Sequence, residues 1–113
     1  RALSTLVGSL HRRRLTLPPD AQLVDEARRG NASAFAELVR RHERTMLALA
    51  YAGTRCSTTS ADVVQDAFIR IWKKLHDLRE PSKFVPWLAS TVRRLATNAV
   101  RSPVRRMKLV GDE

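Results

Sequence analysis

Apolar side chains recur every three or four positions along most of the chain from Asp20 onward, the spacing that places them on one face of an α-helix. Interruptions at Gly30, at the polar loop 54–58 and at the break 79–82 divide the pattern into four predicted helices. No stretch of four or more residues alternates convincingly between apolar and polar positions, so no β-sheet is expected. The pattern therefore predicts an all-α fold, a compact bundle of about four helices.

Capping and helix-stopping residues set the predicted boundaries. The predicted starts carry common N-cap residues: Asp20, Asn31, Thr59 (with Asp62 three residues on, as in a capping box) and Ser82. The predicted ends fall at Gly30, at Gly53, near Leu78 and near Arg101, where Pro103 bars continuation. The apolar stripes of the last three helices form the predicted core: Phe35, Leu38, Val39, Met46, Leu49, Val64, Phe68, Ile71, Leu75, Leu88, Val92 and Leu95. His42 lies on the same face, where we expect a half-buried, hydrogen-bonded histidine.

The helical domain is predicted to span residues 20–102, which leaves a segment at each end. Residues 1–19 are interpreted as a tail, either flexible or a short docking helix, although an Arg-rich transit peptide has a similar composition. The apolar residues of this N-terminal segment have helical spacing: Leu3, Leu6, Val7 and Leu10. A basic run follows them: Arg12, Arg13 and Arg14. Because the first residue is Arg, we expect the chain to be part of a longer protein.

Charge is distributed unevenly along the 113 residues. Residues 20–69 hold six Lys or Arg and seven Asp or Glu, whereas residues 70–108 hold eleven Lys or Arg and two Asp or Glu. A basic half on a small domain favours a polyanion partner, because Lys and Arg release counterions from a phosphate backbone. Nucleic acid is the preferred interpretation, ahead of an anionic membrane surface or a solvated basic face. No apolar run approaches the ~20 residues that would span a bilayer.

The outer faces of the last two helices carry candidate binding residues. On the third, two acids and an amide surround an exposed aliphatic side chain, which suggests a protein-docking patch or a solvated face: Asp62, Gln65, Asp66 and Ile69. On the fourth, arginines alternate with small polar residues and one indole, a mixture that can hold phosphates and stack a base: Trp87, Ser90, Arg93, Arg94, Thr97, Asn98 and Arg101. Arg79, Lys83 and Phe84 directly precede this helix, and core packing is the competing interpretation for Phe84.

Residues with catalytic or metal-binding chemistry do not form a recognisable constellation. His11, His42 and His76 share no metal-ligand spacing with an acid or cysteine, and Cys56 is the single cysteine. Gly30 and Gly53 are isolated, so no phosphate-binding loop is predicted. We therefore expect neither an enzyme nor a metal or other cofactor.

Three segments together resemble a known family. The sequence DVVQDAFIRIW at 62–72 is similar to the "DLVQEVFLRAW" helix of bacterial sigma factors, specifically the extracytoplasmic-function group of the sigma-70 family. FVPWL at 84–88 resembles the "FRxWL" segment of that group, and LV at 23–24 with GN at 30–31 and AFAELVRR at 34–41 resembles its opening. The order and spacing match over about 20–101, which identifies a sigma region-2 domain. Arg94 stands where the group commonly has Asn.

The resemblance implies a transcription-initiation role in the bacterial cytoplasm. The third helix would dock on the clamp helices of the largest subunit of core RNA polymerase through Asp62, Gln65, Asp66 and Ile69. The following loop and fourth helix would recognise the promoter −10 element and hold its non-template strand melted. The implied DNA-facing residues are Arg79, Ser82, Lys83, Phe84, Trp87, Thr91, Arg94 and Asn98, with Arg93 and Arg101 on phosphates. Residues 103–113 would begin a linker to a C-terminal helix-turn-helix domain, and an anti-sigma factor is a further candidate partner.

Two other functions remain open from the sequence alone. A general nucleic-acid-binding helical module would use only the basic half and would have no polymerase partner. A pure protein-interaction domain would act only through contacts with regulators such as anti-sigma factors. Polymerase binding distinguishes the first alternative from a sigma factor, and DNA crosslinking to Trp87 or Arg94 distinguishes the second.

Overall fold

The computed structural model describes residues 17–101, and the expectations for 1–16 and for the linker 103–113 lie outside this range. The described part contains four α-helices and no strand, which confirms the all-α prediction. The helices are α1 (Asp20–Arg28), α2 (Ala32–Thr54), α3 (Ser57–Lys74) and α4 (Phe84–Arg101). Two short 3₁₀ turns, Leu75–Asp77 and Pro81–Lys83, connect α3 to α4.

The longest helix, α2, is the centre of the bundle and packs against each of the other three helices. Helix α3 also packs along α4, so the two helices with candidate binding faces lie side by side. At one close approach, a Cβ added to Gly53 of α2 would lie 3.4 Å from the Cβ of Ala96 in α4. The small residues thus let α2 and α4 approach closely.

Most predicted core residues are buried, and the remaining three are partly buried. The buried set comprises Leu38, Met46, Val64, Phe68, Ile71, Leu75, Leu88, Val92 and Leu95. Phe35, Val39 and Leu49 pack against this core but keep exposed surface. The first helix adds Leu23, Val24 and Ala27 to the core. The helical periodicity therefore identified the buried stripes correctly.

The capping predictions hold for only one helix. The side chain of Asn31 accepts a hydrogen bond from the backbone N–H of Ala34 at 3.2 Å, as predicted for α2. Asp20 does not cap α1, because the N-cap is Pro19 and Asp20 belongs to the first turn. Helix α4 begins at Phe84, since Ser82 belongs to the preceding 3₁₀ turn.

The junction of α2 and α3 also differs from the prediction. Helix α2 continues to Thr54 and ends with Arg55 in the left-handed conformation (φ 58°). A buried hydrogen-bond network then starts α3 before Thr59: the hydroxyls of Thr54 and Ser60 lie 2.7 Å apart, and Ser60 donates to the carbonyl of Cys56 at 2.8 Å. The expected Thr59 capping box is therefore wrong, and Thr59 is buried in the first turn of α3.

Asp20 instead fastens α1 to α2. Its carboxylate lies 2.7 Å from Nε2 of His42 and accepts a hydrogen bond from Nη1 of Arg41 at 3.1 Å. The prediction of a half-buried, hydrogen-bonded His42 is confirmed. Arg41 also donates to Glu37 at 3.1 Å, and hydrogen bonds from Arg40 and then Arg41 lower the pKa of the Glu37 carboxyl.

None of the helices within residues 17–101 combines the length and apolar content that a membrane crossing requires. In the same range, no group of three or more His, Cys, Asp or Glu side chains is arranged to hold a metal ion.

Candidate functional site

The predicted docking residues of α3 all lie at the surface of the bundle. Ile69 keeps 45% of its surface exposed, Gln65 is exposed, and Asp62 and Asp66 are half-exposed. Asp66 accepts a hydrogen bond from Nε of Arg70, one turn later, at 3.2 Å. These four residues therefore share one accessible face of α3, with the exposed Ile69 as its apolar centre.

This face of α3 borders two different depressions. Gln65 and Ile69 line an apolar groove of about 510 Å³ between α2 and α3. Asp62 and Asp66 line a smaller polar cleft of about 200 Å³ on the α4 side, together with Asn98. The four residues therefore extend across the ridge of α3, with the apolar contact toward α2 and the acids toward the basic helix α4.

The apolar groove was not predicted from the sequence. Its wall on α2 includes Phe35 and Val39, which sequence analysis had assigned to the core, and its wall on α3 includes Trp72. The ring centroids of Phe35 and Trp72 are 4.9 Å apart, and Trp72 is 38% exposed. The available signal was the excess of large apolar residues on α3, because Ile69 and Trp72 lie outside the predicted core stripe.

The outer face of α4 carries the predicted basic and polar side chains at the surface. Its exposed residues are Ser90, Arg93, Arg94, Thr97, Asn98 and Arg101, and Trp87 is half-buried. Arg93 and Arg101 line a groove of about 480 Å³ beside the C-terminal part of α2. Asn98 instead faces the cleft with α3. Arg93 and Arg101, which are expected on phosphates, thus lie on the opposite flank of α4 from Asn98, which is expected at bases.

The loop before α4 lies next to Trp87. Arg79, Ser82 and Lys83 are exposed, and the 3₁₀ turn is closed by a hydrogen bond from the backbone N–H of Lys83 to the carbonyl of Glu80 at 2.9 Å. Trp87 borders a depression of about 360 Å³ formed with Lys74, Asp77 and Leu78. The indole is therefore accessible from the side of the loop.

Phe84 and Thr91 are corrections to the predicted DNA-facing set, because both belong to the buried face of α4. Phe84 is 0% exposed, and its ring centroid lies 6.2 Å from that of His42. Thr91 is buried, and its hydroxyl donates to the carbonyl of Trp87 at 2.9 Å. Positions 84, 88, 91 and 95 follow the i, i+4, i+7, i+11 spacing of one helix face, so they turn inward together. The core-packing interpretation of Phe84 is the correct one for this structure.

Comparison with known proteins bears directly on this arrangement of helices. The family model "Sigma-70 region 2" matches residues 38–106, more than half of the chain. The chain belongs to the sigma-70 region 2 family. The match includes α3, the loop and α4, so both candidate faces lie within it, and the resemblance noted from the sequence is confirmed.

Curated relatives carry sigma-factor names. The chain is 38% identical over 86 residues to the probable RNA polymerase sigma factor RfaY of Xanthomonas campestris pv. campestris, covering 74% of this chain and 22% of that protein. It is 33% identical over 88 residues to the RNA polymerase sigma-H factor of Pseudomonas aeruginosa, covering 78% of this chain and 44% of that protein. It is 34% identical over 91 residues to the RNA polymerase sigma factor NccH of Alcaligenes xylosoxydans xylosoxydans, covering 80% and 46% respectively.

The chain thus spans less than half the length of these relatives. No solved structure gives a significant match to it.

Proposed function

We propose that this domain acts in transcription initiation by docking on core RNA polymerase through α3 and by binding the promoter −10 element through α4 and the loop before it. The observation that carries the proposal is the contrast between two neighbouring surfaces. The ridge of α3 presents two acids, an amide and the exposed Ile69, whereas α4 presents three exposed arginines. Because α3 and α4 pack side by side, one domain can hold a protein and a polyanion at adjacent faces.

The polymerase contact would combine an apolar centre with charged surroundings. Ile69 supplies the apolar surface, and Asp62, Gln65 and Asp66 supply acceptors that a basic or polar partner helix can satisfy. Interfaces gain most of their affinity from a few desolvated anchors, and surrounding polar groups add specificity. The clamp helices of the polymerase largest subunit are the proposed partner.

The DNA contact would work by capturing an opened strand. Unstacking a base costs a few kcal/mol, and an aromatic side chain that stacks on the released base returns about 1–3 kcal/mol. Trp87 borders a depression with Asp77 and Leu78, directly before the loop that carries the exposed Arg79, Ser82 and Lys83, and the non-template strand would pass along this side. With so little free energy from a single base, this domain needs the polymerase to hold the promoter in place.

Phosphate contacts and base contacts should respond differently to substitution. We expect Arg93→Ala or Arg101→Ala to weaken binding to every sequence and to reduce the salt slope by about one unit, because each would remove one phosphate contact. Arg94→Ala should instead change the preferred base at one promoter position by about 1–3 kcal/mol. The measurement is a salt titration of the complex with core polymerase on −10 DNA and on single-base variants.

These three variants control for one another, because each removes one exposed arginine from the same helix. If Arg94→Ala lowers the affinity equally for every base, α4 is a nonspecific basic face. A general nucleic-acid-binding module would then replace the promoter-recognition proposal.

Trp87→Ala should impair strand opening more than duplex binding. The indole offers a stacking face worth about 1–3 kcal/mol to an unstacked base, whereas an intact duplex has no free base to stack on it. The measurement compares the signal of a fluorescent base in the −10 element with duplex affinity, both in the complex with core polymerase. Trp87→Phe is the matched control, since it keeps an aromatic face, and a melting curve verifies that the half-buried position tolerates each change. Normal opening by folded Trp87→Ala would contradict the stacking role.

A further inference from the structure

The apolar groove between α2 and α3 extends well beyond Gln65 and Ile69, the two docking residues that line it. Besides Gln65 and Ile69, it is lined by aromatic and aliphatic side chains of both helices, including Phe35, Val39 and Trp72. Ile69 and Trp72 are among the few large apolar side chains that stay exposed in the described part of the chain. A groove of this composition suits the apolar face of an amphipathic helix.

We infer that the apolar stripe within residues 1–10 of the same chain docks in this groove. Leu3, Leu6, Val7 and Leu10 have the spacing that places them within about 100° on one helical face. An amphipathic helix that binds in a groove between two helices uses apolar anchors at i, i+3, i+4 and i+7. The four apolar residues of this stripe have that spacing.

Charge favours this occupant. Residues 1–16 contain four arginines and neither Asp nor Glu. Of the described residues that line the groove, Glu43 is the one with a charged side chain, and Asp62 and Asp66 lie on the adjoining ridge of α3. A basic, apolar segment therefore meets an apolar floor that contains Glu43, and Asp62 and Asp66 lie across the ridge of α3, so the charges of segment and surface are complementary.

The chain is long enough to reach the groove. The hydrogen bonds of Asp20 with Arg41 and His42 fix the start of α1 at the level of Val39 and Glu43 on α2. Val39 and Glu43, which line the groove, lie within two residues of Arg41 and His42 on the same helix. The nine residues 11–19 can span up to about 30 Å when extended, which leaves residues 1–10 to lie in the groove.

Covalent connection makes even a weak contact effective. A short linker raises the local concentration of the segment to the order of millimolar, so a modest intrinsic affinity suffices for occupancy. A docked segment would cover Gln65 and Ile69. If the proposed function is correct, core polymerase must displace it, and the segment acts as a built-in competitor for the polymerase-docking face.

The test uses the full 113-residue chain and the indole N–H signals of its two tryptophans. Leu6→Glu places a charge within the apolar stripe, and Thr5→Glu places the same charge on the opposite side of the segment as a matched control. We expect Leu6→Glu to shift the Trp72 signal and to increase its solvent exchange, while the Trp87 signal stays unchanged. Thr5→Glu should leave both signals as in the unmodified chain.

Identical Trp72 signals in the unmodified chain and in Leu6→Glu overturn the inference. A Trp72 signal that depends on protein concentration also overturns it, because a second copy of the chain would then be the occupant. The readout needs no polymerase, so it can fail independently of the proposed function.

A second measurement addresses competition. If the segment fills the groove nine-tenths of the time, Leu6→Glu should bind core polymerase about tenfold more tightly than Thr5→Glu. If Trp72 responds as expected but the two variants bind polymerase equally, the docking is supported and the polymerase contact at Gln65 and Ile69 is the part that fails.

Discussion

Asp66→Arg should abolish binding of the chain to core RNA polymerase while the fold remains intact. The carboxylate lies half-exposed on the ridge of α3, where it pairs with Arg70 one turn away, so its replacement removes no core contact. At an interface the reversed charge would meet the partner group that Asp66 had satisfied. Breaking such a pair costs about 2–5 kcal/mol, a loss of about 30-fold to several thousand-fold in affinity. Binding is measured with purified core polymerase, and the fold is monitored by helicity and melting temperature.

Asp25→Arg is the matched control for this substitution. Asp25 is a half-exposed acid on α1 that also pairs with an arginine on its own helix, at 3.5 Å from Arg28. It therefore undergoes the same charge change outside the docking face. If Asp66→Arg binds polymerase as well as Asp25→Arg does, the ridge of α3 is an ordinary solvated surface, and the general nucleic-acid-binding module gains support.

The sequence predicted the helices and their buried stripes well, because helical periodicity is a local property. Leu38, Met46, Ile71 and Leu88 could be assigned to the core from spacing alone, and all four are buried. The outward placement of Ile69 followed from the same arithmetic. These assignments need only the angle between residues on one helix, which is the same in every α-helix.

Predictions failed where a tertiary contact outweighed a local preference. Asp20 has a strong N-cap tendency, but its carboxylate pairs with Arg41 and His42 of α2 instead. Thr59 resembled a capping residue, but hydrogen bonds around Ser60 start α3 earlier. Both outcomes depend on partners that are distant in sequence or on a loop conformation that capping statistics do not encode.

The groove between α2 and α3 could not be predicted, because it depends on how two helices pack against each other. Phe35 and Val39 were assigned to the core from their position on α2, and they do pack against it. They also remain partly exposed, since α3 presents Ile69 and Trp72 beside them without closing the space. Periodicity reports which face of a helix is apolar, but it does not report whether the neighbouring helix covers all of that face.

The burial of Phe84 leads to a prediction that separates stability from DNA recognition. Phe84 begins α4, is 0% exposed and lies against His42, so it ties the start of α4 to α2. Phe84→Ala would leave a cavity that the bundle can only partly close, and we expect a loss of about 3–5 kcal/mol in the free energy of unfolding. Domains of this kind are stabilised by about 5–15 kcal/mol in total, so much of the stability would be lost. Denaturant unfolding followed by far-UV circular dichroism measures the change.

Phe84→Leu distinguishes a core role from a DNA contact. It retains most of the apolar volume and should therefore be clearly less destabilising than Phe84→Ala. Because the side chain does not reach the surface, the folded Leu variant should bind single-stranded −10 DNA, in the complex with core polymerase, as the unmodified chain does. If Phe84→Ala instead unfolds at the same denaturant concentration as the unmodified chain and Phe84→Leu loses DNA affinity, the ring must leave the core to meet DNA. The position would then belong to the DNA-facing set that the family resemblance implied.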